Sequence, residues 1–159
     1  MNPEGTATEK TASTVYLDVC CLNRPFDDQT QVRIHMEAES VLAFIALAME
    51  GRYVWVSSEV VDFEIDQTPD PERRQRVALL AGFAHRHLLV DEQVERRAEE
   101  LEALGFHTFD ALHLACAEQA EVSILLTTDD QFQRVANRHE DSLAVRVSNP
   151  LNWIQEVQG

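Results

Sequence analysis

Short apolar runs alternate along the chain with segments whose apolar residues recur every three or four positions. The run VYL at 15–17 stops on Asp18, and a loop, CCLNRPFDDQTQ, is expected to lead from it into a helix. That helix would carry Ile34, Ala38, Val41, Leu42, Ile45, Ala48 and Met49 on one face and end at Gly51. YVWVS at 53–57 predicts a second strand, with a short helix over 58–66. Asp70 and Pro71 suit the cap and first turn of a helix bearing Val77, Leu80, Ala81 and Ala84. HLLV at 87–90 reads as a third strand, and Asp91 as the start of a helix through Val94, Ala98, Leu101 and Leu104, stopped by Gly105. Thr108 can cap a helix running through Ala120. SILLT is a fourth strand, Asp129 opens a helix to about Arg138, LAVRV at 143–147 is a fifth strand, and NPLNWIQEV closes the series as a helix.

Strands this short, separated by helices, predict an α/β fold with a parallel sheet covered on both faces. Its ligand crevice would lie beyond the carboxyl ends of the strands, where Asp18 and Asp129 both fall. At 159 residues and 45% hydrophobic, the chain suits one domain, assigned to residues 14–159 behind a loose polar tail over 1–13. No stretch reaches the roughly 20 apolar residues of a membrane span, so no membrane partner is expected and the protein is read as cytoplasmic. Three cysteines make neither a disulfide framework nor a zinc spacing and read as small core residues.

A formal charge of −15 excludes a broad electrostatic grip on nucleic acid, so such a partner must be held locally or through metal. The single lysine, Lys10, lies in the tail against twelve arginines elsewhere. Mechanisms that need a lysine in the folded domain, such as Walker-type phosphate loops and phospho-aspartate receivers, are thereby excluded. A phosphatase of the haloacid dehalogenase type fails for the same reason, and because Cys20 stands where it needs a second aspartate.

Glu64 shares a helical stripe with Val60 and Val61 beside Ile65. A lone buried carboxylate is costly, so it needs either a cation shared with other acids or an arginine at the sheet edge, and spacing alone does not choose between them. Asp110 suits the first turn of its helix through the helix dipole, but it also shares a largely apolar stripe with His113, Leu114 and Ala117. A parallel α/β fold could therefore gather Asp18, Glu64, Asp110 and Asp129 at one sheet edge. Hard oxygen ligands of this kind suit Mg²⁺ or Mn²⁺, and such ions activate water at a phosphodiester.

VYLDVCCLNRPFDD, SSEVVDFEI, GFHTFDALHLACAE and LLTTDDQF, in this order, resemble the acidic motifs of PIN-domain nucleases over about residues 15–150. The resemblance implies a three-layer α/β/α Rossmann-like sandwich with a central, mostly parallel five-stranded sheet. It also implies a metal-dependent endoribonuclease, often the VapC-like toxin of a toxin–antitoxin pair and often a homodimer. Carried over, the catalytic and metal-binding acids would be Asp18, Glu64, Asp110 and Asp129, with Thr127 supporting them and Mg²⁺ or Mn²⁺ as cofactor. RNA would be the substrate and an antitoxin protein a possible partner. Glu59 and Asp62 compete with Glu64, and Asp130 with Asp129. Glu64 is preferred because it alone shares the apolar stripe, and Asp129 because it directly follows the strand and the threonines.

Arg24 could reach a substrate phosphate, or could instead order its loop by pairing with Asp27 or Asp28. His113 could donate to a carboxylate or be a hydrogen-bonded core residue. Arg73, Arg74, Arg76 and Arg86, with His85 and His87, form the chain's basic concentration, readable as an RNA contact or as a solvated helix face. A PIN-like module that is catalytically silent and acts by binding a protein or RNA is the competing functional reading.

Overall fold

The computed structural model describes residues 13–158. The tail expected over 1–13 lies outside them except for Ser13, which opens the first strand. Five strands form one sheet: β1 (Ser13–Leu17), β2 (Tyr53–Ser58), β3 (Arg86–Leu88), β4 (Ile124–Leu126) and β5 (Arg146–Ser148). Their order is β3-β2-β1-β4-β5, and every neighbouring pair is parallel. The chain thus builds outward from β1 through β2 to β3, then crosses to the other side of β1 for β4 and β5. The reversal opens a crevice between the carboxyl ends of β1 and β4.

Eight helices are present among the described residues: α1 (Val19–Asn23), α2 (Val32–Met49), α3 (Glu59–Asp66), α4 (Pro71–Ala81), α5 (Glu92–Leu104), α6 (Thr108–Gln119), α7 (Asp130–Arg138) and α8 (Pro150–Gln158). Alternation along the strands assigns the layers. Val15 and Trp55 are paired in register and share one face, where Phe44 of α2 packs edge-on against Trp55 and Trp153 of α8. Tyr16 points to the other face and meets His113 of α6. Both faces are covered, which is why consecutive residues are buried in the central strands: Val15, Tyr16 and Leu17 in β1, Trp55 and Val56 in β2, and all of β4. Among the described residues no helix is long and apolar enough to cross a membrane.

The structure departs from the sequence reading in several places. The segment after Asp18 is not a loop but α1 followed by a 3₁₀ turn at Arg24–Phe26. On α2, Leu42 and Met49 are exposed, while Phe44, Glu37 and Ser40 are buried. The fifth strand is Arg146–Ser148 rather than 143–147, because register with β4 pairs Ile124 with Arg146. β3 is similarly moved to Arg86–Leu88 by pairing Val56 with Arg86. His107, not Thr108, is the N-cap of α6 and makes no side-chain capping bond. Cys21 and Cys116 are buried as expected, but Cys20 is half-exposed, with its thiol 3.3 Å from Asp18 Oδ2.

Candidate metal centre

Two aspartates end the central strands, and they are used differently. Asp18 is the N-cap of α1, yet its side chain makes no capping bond. Its backbone N–H is instead held by the Leu126 carbonyl at 3.0 Å, and its Oδ2 accepts from the Thr127 hydroxyl at 2.8 Å. The buried carboxylate is thereby turned into the crevice. Asp129 caps α7 conventionally, with Oδ1 accepting from Gln131 N–H at 2.9 Å and Phe132 N–H at 3.2 Å. Thr127 joins the two, since its Oγ1 also accepts the Asp129 N–H at 3.1 Å.

Glu64 is directed inward by α3, whose buried side carries Val60, Val61 and Ile65. Its partner is not an arginine but His113, whose Nε2 is 2.5 Å from Glu64 Oε1 and 3.4 Å from Asp18 Oδ1. A buried chain continues behind the imidazole. Nδ1 lies 2.7 Å from the Tyr16 hydroxyl, which lies 2.6 Å from Ser58 Oγ, and Ser58 accepts the Val60 and Val61 N–H groups that begin α3. Nε2–H donates to the carboxylates in either state; in the neutral imidazole Nδ1 accepts from Tyr16, and in the imidazolium Nδ1–H donates to the Tyr16 oxygen, whose hydroxyl then donates to Ser58. Burial alone would push the His113 imidazolium down, but the charge of Asp18 and the hydrogen bond to Glu64 carry it above its ordinary value.

Ligand atoms of Asp18, Glu64 and His113 all lie within 4.8 Å of one another. Asp110 and Asp129 stand outside this triplet as the side chains are placed. Asp110, on the first turn of α6, is nevertheless coupled to both strand-end aspartates. Burial, then the charges of Asp18 and Asp129, push its carboxyl up to about 7. A buried carboxyl raised by the negative charges facing it is one that a divalent cation would relieve, so the donor set fits such an ion.

Each competing acid is engaged elsewhere. Glu59 accepts the Val90 N–H at 2.7 Å, Asp62 pairs with His87 at 2.5 Å, and Asp130 is gripped by Arg33 through two bonds of 2.7 and 2.9 Å. Arg24 does not point freely at the site: its Nη1 is 2.9 Å from Asp27, the ion pair foreseen as its alternative, and its Nε is 2.8 Å from Glu37. The basic segment is largely consumed internally. Arg73 bonds to Asn23, Asp27 and the Phe26 carbonyl, Arg74 to the Thr68 carbonyl, and Arg76 to Glu72.

Tyr16, Ser58, Cys20 and Glu37 were not foreseen as parts of this region. Glu37 is fully buried, bound by Arg24, Arg33 and the Asn149 amide at 2.6 Å. Its signal in the sequence is helical spacing, because residues 37, 41, 44 and 48 lie on one buried face of α2.

The PIN-domain family model matches residues 15–138 of the chain. The chain belongs to the PIN-domain family. A solved structure similar to this PIN domain is the VapBC2 complex from Rickettsia felis bound to a DNA fragment from its promoter. It is 15% identical with a TM-score of 0.52, over 86% of this chain and 98% of that one. No curated protein sequence matches this PIN domain. The structural likeness confirms the fold, with its central parallel sheet between helical layers.

Proposed function

We propose that this PIN domain is a metal-dependent endoribonuclease and the toxin of a toxin–antitoxin pair. The reading is supported by the meeting of Asp18, which follows β1, and Glu64 of α3 at His113, with Asp110 of α6 pushed up to about 7 by burial and by the charges of Asp18 and Asp129. Asp18, Glu64, Asp110 and Asp129 would hold Mg²⁺ or Mn²⁺. Such an ion supplies an activated water and a charge to offset the developing negative charge at an RNA phosphate, leaving a 5′-phosphate and a 3′-hydroxyl.

The protein's own residues prepare the site. Thr127 fixes the rotamer of Asp18 and, through the Asp129 N–H, the start of α7. His113 orients Glu64 and keeps the two facing carboxylates apart, and Tyr16 fixes the imidazole. Carboxylates placed before the reaction need no rearrangement during it. The toxin assignment is supported by the resemblance to VapC-like toxins and by the likeness to VapBC2. A homodimer is supported by the exposed stacked pair Phe63 and Phe109, whose ring centroids are 5.7 Å apart. The cytoplasm is supported by three free thiols.

The test is incubation with a mixed pool of structured and single-stranded RNA, with Mn²⁺, with Mg²⁺ and with chelator, beside an Asp18→Asn, Asp110→Asn double variant. Cleavage that needs metal and is absent from the variant is expected. Absence of both cleavage and metal binding in the wild type would overturn the reading.

A further inference from the structure

Three arginines and three acids form an unbroken ion-pair chain along one side of the crevice. It runs from Arg73 to Asp27 at 2.8 Å, Asp27 to Arg24 at 2.9 Å and Arg24 to Glu37 at 2.8 Å. It continues from Glu37 to Arg33 Nε at 3.0 Å and ends with both terminal nitrogens of Arg33 on Asp130. Arg24, Asp27 and Arg73 are mostly buried and Glu37 wholly so, whereas Arg33 and Asp130 each keep 54% of their side-chain surface exposed. An ion pair this exposed adds little to stability. This one sits at the edge of the site, because Asp130 directly follows Asp129. It also lines a polar groove of about 260 Å³, with Gln133, Asn149 and Asn152.

We propose that Arg33 binds a non-scissile phosphate of the RNA strand, and that Asp130 fills the Arg33 fork in the free enzyme as a stand-in for that phosphate. The inference rests on the ribonuclease reading. A guanidinium presents the same paired donors to a carboxylate and to a phosphate. Glu37 retains the Nε of Arg33 throughout, so the exchange changes the partners of Nη1 and Nη2 only and keeps the fork aimed into the groove. The overall charge of −15 makes a local contact of this kind necessary, and the side-chain amide of Asn152 adds a donor beside it. Asp130 also makes strand binding conditional, because a phosphate must displace it.

The two partners of one ion pair should then act oppositely. A fluorescent single-stranded oligoribonucleotide is titrated with Arg33→Gln, Asp130→Asn, the double variant and their parent, all in an Asp110→Asn background that keeps the RNA intact. Asp130→Asn is expected to tighten binding about 3–10-fold and Arg33→Gln to weaken it by a similar factor. Arg33→Gln should also lower the slope of log affinity against log salt by about 0.7, one phosphate's share. In the double variant the gain from Asp130→Asn should fall below about 2-fold, which separates release of Arg33 from a general loss of negative charge. Arg33→Lys, keeping charge without the fork, should bind more weakly than the parent with an unchanged slope, and thermal midpoints identify any variant that fails to fold.

Shifts in the same direction, an unchanged salt slope in Arg33→Gln, or a gain that persists in the double variant would each overturn the proposal. So would undetectable binding in all proteins. Cleavage of the RNA pool by the wild type in that case would leave the nuclease reading standing, whereas opposite shifts without wild-type cleavage or metal binding would support the phosphate contact and remove the hydrolysis.

Discussion

His113 Nε2 lies 2.5 Å from Glu64 Oε1 while its Nδ1 lies 2.7 Å from the Tyr16 hydroxyl, so one buried imidazole ties the helix carboxylate to the central strand. Replacing His113 with Phe should leave the Tyr16 hydroxyl without that partner and Glu64 without its orienting donor. The expected cost is about 1–3 kcal/mol of stability by chemical denaturation. Metal affinity by calorimetry should fall about 10–100-fold, as for other residues that orient ligands. An unchanged metal affinity in a folded His113→Phe protein would remove the positioning role.

Glu64 and Glu59 lie on the same short helix with different partners, which separates their expected effects. Glu64→Gln should abolish metal-dependent cleavage and weaken metal binding with little change in folding. Glu59→Gln should keep cleavage while weakening the hydrogen bond to the Val90 N–H, at a cost of about 0.5–1.5 kcal/mol. Cleavage rates and denaturation curves of both variants decide the assignment.

The metal-free protein should lose stability as pH rises from 5 to 8. The Asp110 carboxyl lies at about 7 in the fold against an ordinary 3.8, so the native state holds that proton more tightly than the unfolded chain. The stability this confers is full below about pH 4 and lost as pH rises through about 7. His113, also raised, acts in the same direction, its contribution being full below about 6.5 and lost above its native value. Thermal midpoints in chelator should therefore fall across this range, and less steeply in Asp110→Asn. Added Mn²⁺ or Mg²⁺ should raise the midpoint more at pH 8 than at pH 5, because bound metal needs the ionised carboxylates.

Glu37 is the buried hub of the ion-pair chain. Glu37→Ala would leave Arg24 and the Asn149 amide facing an uncompensated pocket, with an expected loss of about 3–5 kcal/mol. Glu37→Gln keeps the volume and one acceptor and should cost less. Urea denaturation of the two variants checks both the size and the order of these effects.

The fold was legible because alternating periodicity and capping residues are local signals, and the strand ends that place Asp18 and Asp129 follow from them. Glu64 stands out in the sequence as a charge on an apolar stripe and His113 as a possible donor to a carboxylate, but the pairing of the two does not. His113 is 49 residues away, and the Tyr16–Ser58 chain behind it requires the pairing of β1 with β2. Glu37 is hidden in the sequence because Leu42 and Met49 suggest an α2 stripe one register away from the one that Phe44 marks. The position of the fifth strand is not legible locally, because its hydrogen bonds to β4, not its own apolar run, decide where it begins.

The pairing of β1 with β4 has a consequence for synthesis of the chain. Val15 pairs with Ile124, and the Asp18 backbone is pinned by Leu126, so the first acid waits for more than a hundred further residues before its surroundings exist. During translation the amino-terminal part can form β1, α2 and β2, but Thr127 and Asp129 emerge last among the site residues. A ribosome that stalls or a message that is cut before this point releases a fragment without a complete centre. Parallel pairing over such a separation is also slow to form. A nascent chain therefore lacks the complete acidic centre until β4 and Asp129 have been made and paired with β1.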